Sequence, residues 1–148
     1  MIWEKICKKK QWLTIKIKVI NIPEKVSYNG EEWTVVAIGS YAFINERGID
    51  KVELPGGIEA IEDAAFYQCS VNTLNFPANL KYIGWRAFYK TNLAPYIVEK
   101  KGNEKRYKHY KKSQPIQIAG ATAIGPQAFE ASFSTSKLEC PNITFLGY

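Results

Sequence analysis

Few residues in this chain have the types and spacing that acid–base or nucleophilic chemistry requires. The one histidine, His109, lies in a lysine-rich stretch with no partner that the spacing would place beside it. Glu62 and Asp63 are adjacent, and neighbouring carboxylates that point apart on a turn make a poor general acid–base pair. No phosphate-binding loop, dinucleotide fingerprint, zinc-protease motif or nucleophile elbow occurs. The sequence therefore predicts a protein that is not an enzyme and uses no cofactor.

The three cysteines, Cys7, Cys69 and Cys140, are too far apart to form a CxxC pair. Zinc knuckles and thioredoxin-type redox sites need that close spacing, so the sequence predicts no metal site. Free cysteine is among the most buried residue types, and we therefore expect Cys69 and Cys140 to be small core residues.

A basic segment between residues 99 and 117 is the strongest candidate for a binding site. Residues 99–112 contain seven Lys and Arg against two Glu, in a chain whose formal charge is +6. The candidate residues interleave basic and aromatic types: Lys100, Lys101, Lys105, Arg106, Tyr107, Lys108, Tyr110, Lys111 and Lys112. Lysine supplies charge and tyrosine stacks on bases or sugars, which favours a heparin-like glycan, a nucleic acid or an acidic protein patch as partner. The alternative is a solvated loop that only maintains solubility.

The phrase Ile-x-x-x-Ala-Phe recurs four times and defines a repeat. Its phenylalanines, spaced by 23, 22 and 41 residues, are Phe43, Phe66, Phe88 and Phe129. A period of 22–23 residues is typical of leucine-rich repeats. The longest gap exceeds one period by 19 residues, and alignment places this insertion at Glu99–Gln117.

Identical positions of stacked repeats are expected to form shared ladders, because one repeat is too small to bury its own apolar side. The phenylalanines form one predicted ladder, and another comprises Val52, Leu74, Tyr96 and Leu138. Prolines that end the strands are Pro55, Pro77 and Pro141. Glycines that suit a tight turn with positive φ are Gly39, Gly84 and Gly125.

Strand positions that alternate with these core residues should line a concave sheet and give a second candidate binding surface. They are Lys51, Glu53, Thr73, Asn75, Lys137 and Glu139. The set is mixed in charge and names no ligand, so ordinary solvent-facing residues are the alternative. Four aromatic residues are candidate partner anchors, although we expect most of them to pack between repeats: Trp33, Tyr41, Tyr67 and Trp85.

The phrase Leu-Pro-x-x-Ile-x-x-Ile-Gly-x-x-Ala-Phe-x-x-Cys resembles the BspA-like class of leucine-rich repeats, over about residues 22–148. The resemblance implies a right-handed α/β-type solenoid, mostly β with short helical or 3-10 turns, of four to five repeats. Proteins of this class are typically bacterial surface proteins that bind host proteins or other cells. The resemblance therefore implies a non-catalytic adhesion module that lies at the cell surface or is secreted and that binds a protein partner. A spacer within a larger surface protein is a further alternative.

The two ends of the chain differ from its middle. Residues 1–37 are predicted to form a cap, with a hairpin turn at Asn29-Gly30 and a strand from Trp12 to Ile22 that carries Leu13, Ile15, Ile17 and Val19 on one face. Residues 38–148 are predicted to form the repeats, the last of them incomplete, and the uncapped end indicates either a fragment of a longer array or self-association through that end. No stretch is long and apolar enough to span a membrane or to serve as a signal peptide. The sequence leaves open whether the protein stays inside the cell or has lost an export signal.

Overall fold

The computed structural model describes residues 19–91, 93, 96–101, 104–109, 116–132 and 137–148. Within these ranges the regular elements are short β-strands, and none is a helix. The prediction of short helical or 3-10 segments is therefore wrong for the part of the chain that the structure describes. The connections there are hydrogen-bonded turns.

A five-stranded parallel sheet, here called the spine sheet, joins all the copies of the repeated phrase. Its strands have two residues each: β4 (Ala37–Ile38), β6 (Ala60–Ile61), β8 (Tyr82–Ile83), β12 (Ala123–Ile124) and β14 (Phe145–Leu146). The isoleucines that begin the four copies are at most 3% exposed. Strands β8 and β12 pair directly although they are 41 residues apart, so the stack of repeats continues across the insertion.

The sheet predicted to be concave, here called the long-strand sheet, is interrupted at the insertion. Strands β1 (Val19–Asn21), β5 (Ile49–Glu53) and β7 (Val71–Leu74) pair in parallel. Strands β11 (Ile116–Gln117) and β13 (Leu138–Glu139) form a separate parallel pair. The predicted partnership of Val52 with Leu74 is confirmed. Tyr96 does not join this ladder, because Ile116 is the register partner of Leu138.

Strand β1 adds one more strand to the long-strand sheet. Ile20 pairs with Val52 and, like Ile22, packs against the core. Val19 is 50% exposed. Residues 12–18 of the predicted strand lie outside the described residues, and the capping role of residues 1–37 stays a prediction.

A β-hairpin follows strand β1 in the chain. Strands β2 (Lys25–Tyr28) and β3 (Glu31–Thr34) pair antiparallel, and the φ angles of Asn29 and Gly30 are 53° and 81°. Positive φ at both central residues is the signature of a type I′ turn, which confirms the predicted hairpin. The Val35 amide donates to the Glu24 carbonyl oxygen at 2.9 Å, so the residues just before and just after the hairpin lie side by side.

The insertion forms a second antiparallel hairpin, with strands β9 (Tyr96–Lys101) and β10 (Glu104–His109). Its predicted bounds, Glu99–Gln117, are therefore wrong at both ends. The hairpin includes residues 96–98, and Ile116 and Gln117 belong to the repeat. Leu93 still packs against the core, and the next described residues, from Tyr96, already belong to the hairpin.

On the side of the molecule that carries the repeated phrase, the hydrogen bonds donated by successive backbone amides alternate. One amide bonds within its own repeat, and the next bonds to the neighbouring repeat. In the first copy, the amides of residues 42, 44 and 46 each donate to the carbonyl oxygen three residues earlier. Those of residues 41, 43 and 45 donate to carbonyl oxygens of the next repeat at 2.7–3.1 Å. This alternation satisfies every amide of the segment without a helix. We call this side of the molecule the turn face.

The predicted phenylalanine ladder is confirmed. Consecutive rings from Phe43 through Phe66 and Phe88 to Phe129 stack with centroids 4.9, 5.2 and 5.1 Å apart and interplanar angles of 5–11°. Phe66 and Phe88 are fully buried, whereas the two end rings are only half-buried. Stacked rings contribute about 0.5–1.5 kcal/mol per pair beyond their buried area.

The glycines of the repeated phrase do not have the positive φ that the sequence predicts. The left-handed residues lie two positions later, at Tyr41, Arg86 and Gln127, with φ between 52° and 60°. At Gly84 and Gly125 the glycine is needed because neighbouring repeats approach closely. A Cβ on Gly125 would lie 2.8 Å from the Gly84 carbonyl carbon, which leaves no room for a side chain.

Candidate protein-binding surface

A partly exposed set of mostly aromatic residues lies on the turn face. It is here called the turn patch and consists of Tyr41, Ile44, Tyr67, Trp85, Arg86 and Tyr89. Tyr41 is 54% exposed, Ile44 38% and Trp85 37%. The rings of Tyr67 and Tyr89 stack with centroids 5.1 Å apart. The expectation that most of the candidate anchors pack between repeats is thus wrong for Tyr41 and Trp85, and Trp33, on the first hairpin, is also exposed at 51%.

Arg86 holds the turn patch together. Its guanidinium carbon lies 4.5 Å from the Trp85 ring centroid and 5.0 Å from that of Tyr89. Its Nε donates to Gln127 Oε1 at 2.7 Å, which fixes the guanidinium from the neighbouring repeat. A cation held over aromatic faces is already ordered before any partner arrives, so binding costs less side-chain entropy.

Sequence reasoning missed Ile44, Arg86 and Tyr89 as site residues. A usable signal was present, because each lies at a fixed offset from the phenylalanine of its repeat. Phe88, for example, is buried, while Arg86 two residues earlier and Tyr89 one residue later are on the outer side of the same turns.

The candidates on the long-strand sheet are largely engaged with one another. Lys51 Nζ is ion-paired with Glu53 Oε1 on the same strand, and Lys137 pairs with Glu139 at 2.7 Å. The Asn75 amide donates to and accepts from the Leu54 backbone, both at 3.2 Å.

The ion pair between Lys137 and Glu139 also shifts the pKa values of both residues. The hydrogen bond from Lys137 lowers the pKa of the Glu139 carboxyl, helped by a hydrogen bond from Gln117, and the same contact raises the pKa of Lys137. Thr73 lies in β7 opposite Lys51. This surface has little unpaired charge to offer a ligand within the described residues.

A family model for the BspA type leucine-rich repeat region matches residues 36–148 in six copies. The chain belongs to this family. The spacing of the repeated phrase predicts four to five copies, whereas the match counts six BspA-type repeats. Comparison with curated proteins gives no match.

Two solved structures resemble this BspA-type chain. A leucine-rich repeat protein from Bacteroides ovatus ATCC 8483 is 21% identical, with a TM-score of 0.60 over 90% of this chain and 30% of that one. A leucine-rich cell surface protein from Faecalibacterium prausnitzii A2-165 is also 21% identical, with a TM-score of 0.40 over 88% of this chain and 37% of that one. The first comparison supports the leucine-rich-repeat fold. The chain spans about a third of the length of either structure.

The basic segment of this BspA-type chain lies partly in the second hairpin. Lys100 and Lys101 belong to β9, and Lys105 to Lys108 belong to β10. Register places Lys100 opposite Lys105 and Glu99 opposite Arg106. The candidates Tyr110, Lys111 and Lys112 lie outside the described residues. Polyanion binding by this segment stays a prediction.

Among the described residues, no group of His, Cys, Asp and Glu side chains could hold a metal ion. Searching the same part of the chain for a helix long and apolar enough to cross a membrane finds none. Cys69 is a buried free thiol, as predicted, and Cys140 is half-buried against the core. Cys7 is not among the described residues.

Burial, with a smaller contribution from the negative charge of Glu46, raises the pKa of the Cys69 thiol from 9.0 to about 12. The unfolded chain releases this proton above pH 9 while the folded chain keeps it. The contribution of Cys69 to stability is therefore constant below pH 9 and falls between pH 9 and 12, by at most about 1.4 kcal/mol per pH unit.

We expect Cys69→Thr to remove this alkaline loss and to leave the stability at pH 7.5 within about 1 kcal/mol of wild type. The reason is that Thr91, at the same position of the next repeat, is buried and donates its hydroxyl to the Phe66 carbonyl oxygen. Urea unfolding at pH 7.5 and 10.5 measures both effects. Equal losses at pH 10.5 in the two proteins would show that Cys69 is not responsible.

Proposed function

We propose that this chain is a non-catalytic protein-binding part of a leucine-rich-repeat surface protein, and that its repeats form a solenoid presenting the turn patch to a partner. The observation that carries the proposal is Arg86 held between Trp85 and Tyr89 in an exposed aromatic cluster. Tyrosine, tryptophan and arginine are the residue types enriched at binding hot spots. Family membership supports a surface location, since BspA-type repeats generally occur in surface proteins.

Leucine-rich repeats of this kind generally lack catalytic activity, which supports the non-enzymatic assignment. The resemblance that suggested a host extracellular or cell-surface protein as partner also sets the first panel to screen. That panel contains immobilised extracellular-matrix proteins, heparin and duplex DNA, measured by biolayer interferometry at 0.15 M and 0.5 M salt.

We expect Trp85→Ala to weaken binding to the matrix-protein partner at least tenfold, which corresponds to about 1.4 kcal/mol. Trp33→Ala is the matched control, because Trp33 is another exposed tryptophan and lies outside the turn patch. It should change affinity less than twofold. Thermal melts of both variants test that the fold is intact.

A third variant, with Tyr96–His109 replaced by a short Gly-Ser linker, tests the basic hairpin. Retained binding in this variant would support the turn patch as the binding surface. Binding only to heparin or DNA would contradict the proposal if it also weakened steeply with salt and disappeared with the hairpin. It would support the polyanion alternative, because neutralised phosphates or sulfates release counterions.

A further inference from the structure

The outward side of the spine sheet carries an aromatic slot that is separate from the turn patch. Tyr82 pairs with Ala123 and Ala123 with Phe145, so the three residues lie side by side on adjacent strands. The alternate residues Ile83 and Ile124 are buried, and Tyr82 and Phe145 are 41% and 57% exposed. Two exposed aromatic residues thus flank one small residue.

The width of the slot matches a single ring. Adjacent strands lie about 4.8 Å apart, so the Tyr82 and Phe145 positions are separated by about 10 Å. A ring placed above Ala123 would lie one strand spacing from each wall. The phenylalanine ladder of the same repeats stacks rings at 4.9–5.2 Å. The slot therefore has the spacing that this protein already uses to stack aromatic rings.

Negative charge lies beside Tyr82, on the side away from Ala123, because Glu62 and Asp63 directly follow strand β6. Burial, and then the charges of Asp63 and Glu62, raises the pKa of the Tyr82 hydroxyl. Asp63 accepts the Trp85 amide at 2.7 Å, and Glu62 accepts the amide and hydroxyl of Ser40 at 3.0 and 3.1 Å. These donors are uncharged, so these hydrogen bonds bring no positive charge to the carboxylates, and a cation nearby is favoured.

We propose that the slot formed by Tyr82, Ala123 and Phe145 binds one aromatic side chain of a partner protein, next to a basic residue of that partner. The inference does not rest on the turn patch, because none of the three residues belongs to it. Each site can therefore fail its own test without affecting the other.

The probe is the dipeptide N-acetyl-Trp-Lys-amide, titrated into the whole chain and followed by NMR at the Ala123 methyl group. A single inserted ring should bind with a dissociation constant on the order of millimolar. Ala123→Leu fills the slot and should weaken binding at least tenfold, and Tyr82→Ala, which removes one wall, should do the same. Ala60→Leu is the matched control, because Ala60 is in the same row with Tyr82 on one side and Ala37 on the other. It should change affinity less than twofold.

Charge is tested with N-acetyl-Trp-Glu-amide, which should bind several-fold more weakly at low salt, with the difference lost at 1 M salt. No shift at Ala123 with either probe at 50 mM would overturn the proposal. Equal binding by wild type and Ala123→Leu would also overturn it. Tighter binding of methyl β-glucoside than of either dipeptide would overturn it in favour of a sugar-binding slot.

Discussion

Replacing Phe88 with alanine is expected to lower the free energy of unfolding by about 4 kcal/mol, the largest loss of any substitution considered for this chain. Phe88 is fully buried and stacks on Phe66 and Phe129, and it also makes a T-shaped contact with Phe76, with ring centroids 5.6 Å apart. Removing the ring leaves a cavity and breaks the ladder in its middle. Urea unfolding followed by circular dichroism measures the loss.

Phe43→Ala is the matched control for this prediction. Phe43 belongs to the same ladder but is half-buried and stacks on Phe66 alone. We therefore expect a loss of about 2 kcal/mol. If Phe88→Ala lost no more stability than Phe43→Ala, the ladder would not be the main source of cohesion between the repeats.

Gly125→Ala is expected to destabilise the protein by about 3 kcal/mol, although it adds only one methyl group. The added Cβ would lie 2.8 Å from both the Gly84 carbonyl carbon and the Trp85 nitrogen. These are backbone atoms and cannot turn aside, so the two repeats must separate. The melting temperature, measured by differential scanning calorimetry, should fall in proportion.

Gly57→Ala provides the comparison for that substitution. A Cβ on Gly57 would meet only the Val35 carbonyl oxygen, at 3.8 Å, which is ordinary van der Waals contact. Its φ is not positive, so alanine is accommodated and the restricted unfolded chain makes the variant neutral or slightly more stable. Similar melting temperatures for both variants would contradict the close-approach explanation.

Periodicity predicts the repeat and its phenylalanine ladder, and the Asn29-Gly30 turn signal predicts the first hairpin, because each depends on local or strictly repeated residues. It misplaced the third long strand. Tyr96 is 22 residues after Leu74, as the period requires, yet it begins a hairpin and Ile116 takes its place. An insertion of 19 residues moves the chain by nearly one period, so the spacing alone does not distinguish the two alignments.

Site prediction failed for a different physical reason. Charge runs are visible in a sequence, whereas Arg86 and Tyr89 acquire their roles through stacking across a turn and between repeats. Similarly, Lys51 and Glu53 look free in the sequence, but in the structure they neutralise each other. The sequence predicts that Gly84 and Gly125 are needed for their conformational freedom. In the structure they are needed because the neighbouring backbone lies too close for a side chain.

The interruption of the long-strand sheet leaves one junction between neighbouring repeats with one sheet connection fewer than the others. The repeats that contain β5 and β7 are joined by both the long-strand sheet and the spine sheet. Across the insertion, the described strands of the two repeats pair only through β8 and β12. In a linear array, stability is a sum of nearest-neighbour couplings, and the smallest coupling decides where the array first divides. This protein should therefore open as two cooperative units, with the boundary at the second hairpin, and hydrogen exchange would report two distinct opening free energies.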